Sequence, residues 1–105
     1  MVEISKSDWK LFREKVPEWQ EDYMKRLTKE YIDLLCAPGN PSDHFWELEK
    51  RIKEDKKHPG VIIEMKKSNA IWNIARFVTD EVITIDEIQG FSEELIDTVK
   101  LILRR

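Results

Sequence analysis

PGVIIEMKKSNAIWNIARFV, residues 59–78, decides how the rest of the chain has to be arranged. Within it Ala70, Ile71, Trp72, Ile74, Ala75, Phe77 and Val78 go most of the way round a helical wheel, and only Asn73 and Arg76 interrupt the run. A surface helix carries one apolar stripe; a helix apolar on several sides has to be covered on several sides. The pattern predicts a central, buried helix from Val61 to Val78. Pro59 opens it, since a missing N–H is no loss at a helix start.

Upstream, Trp9, Phe12, Val16, Trp19, Tyr23, Leu27, Tyr31 and Leu34 follow one another at steps of three or four, which is one continuous helical stripe. A separate helix starting at Pro17 would have Val16 as its N-cap, a poor capping residue. The spacing therefore predicts a single helix from Asp8 to Cys36, capped by Ser7 and bent where Pro17 clashes with the carbonyl of Arg13. At about 1.5 Å per residue it is roughly 43 Å long, more than the diameter of a small domain.

The segment APGNP, residues 37–41, turns the chain, and Ser42 caps a helix over 43–57 with a narrow stripe of Phe45, Leu48 and Ile52 and with Trp46 at its edge. His58-Pro59-Gly60 ends that helix. Downstream, Thr84 and Glu87 are spaced as a capping box for a short helix over Ile85 to Gln89, and Gly90 stops it. Ser92 caps a last helix whose stripe is Leu95, Ile96, Val99, Ile102 and Leu103. The fold class is all-α, a single-domain bundle over residues 1–105 with four main helices and one short one.

Composition narrows the function. At 105 residues the chain suffices for one core, and the lone Cys36 has no partner for an internal disulfide, which fits a reduced, cytoplasmic protein. No apolar run reaches the ~18 residues of a membrane span, and MVEISKSDW lacks the apolar centre of a signal peptide. Net charge is -3, so no overall basic field draws in nucleic acid.

The serines sit where helix caps belong, and Gly39, Gly60 and Gly90 are isolated at helix boundaries, leaving neither a nucleophilic constellation nor a phosphate-cradling loop. The reading is non-enzymatic, with no cofactor. His44 with Glu47, and Asp55 with His58, have metal-ligand spacing. The fourteen residues between the histidines put them about 20 Å apart along a helix, too far to share an ion. Residues 79–103 have the outline of a helix-turn-helix. Glu93, Glu94 and Asp97 in the first turns of the last helix would then face phosphates, which excludes a recognition helix there.

Two surfaces remain as candidates. Lys50, Lys53, Lys57, Lys66 and Lys67 are a local excess of positive charge around the turn at Pro59, the anion-binding candidates of a nucleic-acid or phosphate-ligand regulator. Interleaved acids at ion-pairing spacings weigh against that use. Four tryptophans and two tyrosines are many for this size, and Trp9, Phe12, Trp19 and Tyr23 on the first helix are the protein-interface candidates.

With DWKLFREK at 8–15, EWQEDYM at 18–24, SDHFWELEKRIKEDKKHPGVIIEM at 42–65 and FSEEL at 91–95, the chain resembles a family of small uncharacterised bacterial proteins, some labelled multidrug transporters. The resemblance implies a helical protein and no particular site residues, and a chain without a spanning segment is no transporter by itself.

The first helix is longer than its neighbours can cover, so the sequence predicts a protein-interaction module that buries the surplus against a partner, with a second copy the commonest solution. The rival expectation is that the bend at Pro17 folds the first two turns over the monomer's own core.

Overall fold

The first helix is the frame of the molecule. In the computed structural model, which describes residues 3–104, α1 (Lys6–Cys36) runs unbroken through Pro17, whose ring is exposed, so the Arg13 carbonyl it leaves unpaired can be hydrated. Helices α2 (Pro41–Asp55), α3 (Ala70–Thr79) and α4 (Glu93–Leu103) follow, with short 3-10 turns at Lys67–Asn69 and Ile85–Ile88. Among the described residues there is no strand.

Only the first two-thirds of α1 joins the main core. Phe12, Val16 and Trp19 from α1 are buried together with Ala70, Ile71, Ile74, Ala75 and Phe77 of α3. Val82 and Ile83 after α3, Ile88 and Phe91 of the following turn, Leu95, Ile96 and Val99 of α4, and Ile4 complete the cluster. Rings carry much of it: Trp19 meets Phe77 edge-on at 5.6 Å and Phe91 at 6.2 Å between centroids, and Phe12 lies 6.5 Å from both Trp19 and Phe77. We refer to this part as the head.

Beyond Arg26, α1 leaves the head and α2 packs back along it, forming an antiparallel helical arm. The result is elongated, 52 × 26 × 21 Å. Its Cα radius of gyration is 16.5 Å, where a compact chain of this length has about 13 Å. Its accessible surface is 7398 Å², against about 6,200 Å² expected for its mass, so the arm exposes surface that a rounder monomer would bury.

Several local expectations are corrected by the structure. The cap of α1 is Ser5, not Ser7: its hydroxyl accepts from Asp8 N at 3.1 Å, while the Ser7 hydroxyl merely sits 3.3 Å from it. In α2 the N-cap position belongs to Asn40, which makes no side-chain cap bond, and Pro41 rather than Ser42 opens the helix. The central helix starts at Ala70 instead of Val61. Val61, Ile62 and Ile63 are β-branched and resist the helical state, and Asn73 Nδ2 donates to the Glu64 carbonyl at 3.2 Å, fixing the incoming chain across the start of α3. Trp72, read as core, is 37% exposed, so α3 has one open side.

The capping box at Thr84 and Glu87 is present, with Thr84 N donating to Glu87 Oε2 at 2.7 Å. Ser92 caps α4 by accepting from Leu95 N at 3.2 Å. Asp8 ties the two caps together. It is buried, and it accepts from Ser92 N at 3.0 Å and from the Ser92 hydroxyl at 2.5 Å, clamping the start of α1 to the start of α4.

Removing that carboxylate deletes two charge-assisted hydrogen bonds between the starts of α1 and α4. Asp8→Ala is expected to cost about 2–3 kcal/mol, read as a fall in Tm of roughly 10 °C or more by thermal melting. A change of only a few degrees would mean the clamp contributes little.

Candidate protein-interaction surface

The arm is held to the head by its base. The Pro59 carbonyl accepts from Gln20 Nε2 at 3.0 Å, and the His58 ring stacks on Tyr23 at 4.4 Å with planes 5° apart. Gly60 lies against the same tyrosine so closely that a Cβ there would sit 2.3 Å from the ring. On the other side Arg26 donates to the carbonyls of Glu81 and Val82, at 2.9 and 3.1 Å, capping the end of α3 where Glu81 takes a left-handed turn at φ 62°.

Along the arm, one flank is polar and closed. The Tyr31 hydroxyl donates to Asp55 Oδ2 at 2.5 Å, and Arg51 bridges Glu30 at 3.3 Å and Asp55 at 3.8 Å while lying over the Tyr31 ring. Burial, the hydrogen bond to Asp55 and that carboxylate's charge push the Tyr31 phenol well above its usual range. Apolar contact inside the arm is thin. Leu27 is buried, Leu34 and Leu48 are half-buried, and α2 has no buried residue.

The other flank is apolar and open. Ile32 and Leu35 of α1 are 59% and 47% exposed, and Phe45 and Trp46 of α2, packed edge to face at 4.9 Å, are 61% and 63% exposed. Phe45 and Ile52 are not the covered stripe that their spacing suggests, because the head ends before it reaches α2.

The predicted interface residues lie elsewhere. Phe12 and Trp19 are core residues of the head, and Trp9 and Tyr23 are partly buried against it, as in the rival expectation that the monomer covers them itself. They are not part of an open surface. The apolar surplus of α1 is real but sits one half-helix further on, at Ile32 and Leu35. The signal was in the sequence: the inward stripe from Leu27 to Leu34 is flanked by Ile32 and Leu35, which the single-stripe reading passed over.

The lysines do not converge on one site. Lys53 pairs with Glu49 at 3.1 Å and Lys66 with Glu64 at 2.9 Å, whereas Lys50, Lys57 and Lys67 are exposed with no ion pair among the described residues. Among the described residues no group of three or more His, Cys, Asp or Glu could hold a metal ion, and no helix is long and apolar enough to cross a membrane. Cys36 is exposed near the tip of the arm. A cleft lined by Trp19, Asp22, Arg26, Glu81 and Thr84 lies where the arm leaves the head, with about 250 Å³ of room. Arg26 in it is already engaged by the two carbonyls, and the Glu87 carboxylate by Thr84 N.

No protein-family model, curated protein or solved structure matches the chain. The family resemblance in the sequence therefore rests on its quoted segments alone.

A raised phenol pKa in the folded state means that stability from Tyr31 is complete below the unfolded value of 10.0 and is lost as pH rises above it. The wild type is expected to lose more stability between pH 9 and pH 11.5 than Tyr31→Phe, measured by urea unfolding at each pH. Parallel losses in the two proteins would show that the Asp55 hydrogen bond does not hold the phenol neutral.

Proposed function

We propose that the protein is a non-enzymatic interaction module that self-associates through its first helix, using the distal half of α1 that the head leaves uncovered. One observation carries the reading: Ile32 and Leu35 of α1 and Phe45 and Trp46 of α2 all stand about half exposed or more, four large apolar side chains on one projecting arm. Single exposed hydrophobes are ordinary, whereas a contiguous apolar patch on a soluble domain marks a binding surface. Aromatic residues at such a patch are those that concentrate binding energy.

The arm's own build supports this. Held by a polar seam and little apolar burial, it gains less from folding than the head does, and a partner on its open flank supplies what the monomer lacks. The reading places no weight on the lysines around Pro59, two of which are already paired with acids.

Self-association predicts that the wild type sediments above monomer mass at tens of micromolar and dissociates on dilution. Ile32→Glu with Leu35→Glu is expected to return it to monomer, with helicity by circular dichroism and the Tm of the head largely kept. A wild-type protein that stays monomeric at millimolar concentration overturns the reading.

A further inference from the structure

We infer that the occupant of the open flank is the same flank of a second copy, paired about a two-fold axis that runs along the arm, so that each α1 seats on the other copy's α2. This rests on the self-association reading and adds the partner surface and its orientation.

Position on the wheel places both halves of the patch on one side. Glu30 and Arg51 meet at 3.3 Å and so mark one flank of the arm for both helices. At about 100° per residue, Ile32 and Leu35 are turned roughly 140° or more away from Glu30 on α1. By the same count Phe45 and Ile52 are turned roughly 100–120° away from Arg51 on α2. Since the helices are antiparallel, these rotations bring all four to the flank opposite the Glu30–Arg51 pair, with Trp46 at the outer edge against Phe45.

Area decides whether a second copy suffices. At their exposures in the structure Ile32, Leu35, Phe45, Trp46 and Ile52 present on the order of 600 Å². Two copies then bury about 1,200 Å², the lower edge of stable specific interfaces. A patch that is self-complementary in this way, aliphatic on one helix and aromatic on the other, is what an isologous contact requires.

Two axes would bring the flanks together. An axis across the arm lays α1 on the second α1 and α2 on the second α2, aliphatic on aliphatic and aromatic on aromatic. An axis along the arm instead sets α1 on the second copy's α2, running in opposite directions, with the aliphatic Ile32 and Leu35 against Phe45 and Trp46. The second matches the unlike halves of the patch, aliphatic on α1 and aromatic on α2, and gives a four-helix bundle built from two arms.

The test uses the full chain with Cys36→Ser. Thr28→Cys and Ile52→Cys lie at one level on the open flank of α1 and of α2, and a short bis-maleimide joins them only where the two helices belong to different copies. The arrangement predicts covalent dimer from the mixture of the two variants, at least tenfold faster than from either alone, and loss of that product when Trp46→Glu is added to both. Equal or faster cross-linking of either variant with itself, or a sedimenting dimer that yields no mixed product, overturns the arrangement while leaving self-association intact. A protein that is monomeric throughout overturns both.

Discussion

Everything in this molecule follows from the length of α1. Thirty-one residues of helix span about 46 Å, and the other elements of the head supply only enough apolar surface to cover its first two-thirds. The core therefore forms at one end, where Phe12, Val16 and Trp19 meet α3 and α4, and the remaining turns have to find their cover elsewhere. Helix α2 provides some of it along one side and cannot provide all of it, because a single narrow helix packed on another leaves both with open flanks.

The two halves are stabilised by different physics. In the head, buried aliphatic and aromatic side chains supply the driving force, and Asp8 fixes its geometry by joining two helix starts through one carboxylate. In the arm, a tyrosine, an arginine and two acids form a partly exposed seam, worth much less per contact and sensitive to pH through the Tyr31 phenol. The His58–Tyr23 stack and the Arg26 bridge to the end of α3 are the joints between them. The apolar surface left open on the arm lies outside the fold's own core.

How much of this was legible in the sequence can be followed residue by residue. The all-helical class, the long first helix and the Thr84–Glu87 and Ser92 caps rest on local signals, the 3.6-residue period and side chains that bond backbone within three residues, and local signals survive into the structure. The start of α3 was misread because a helical wheel counts apolarity and ignores that Val61, Ile62 and Ile63 are β-branched. The burial of Phe12 and Trp19 was not legible because a stripe shows which residues turn inward and not how far the covering elements reach. Nothing in the spacing of Trp9, Phe12, Trp19 and Tyr23 separates a core stripe from an interface stripe. That distinction is tertiary, set by where α3 and α4 end along α1. Asp8 shows the same limit: its spacing from Ser5 reads as a cap, but its second role depends on Ser92, 84 residues away.

The central claim is that the head is complete in itself and the arm is not. Amide hydrogen exchange along the chain, followed as protein concentration is raised from about 1 μM to 1 mM, reads the two parts separately. The account predicts that amides of residues 28–36 and of α2 exchange fast in dilute protein and slow markedly with concentration, while those of α3, α4 and the first half of α1 are slow throughout. An arm protected as strongly as the head at 1 μM, and unchanged by concentration, would contradict it.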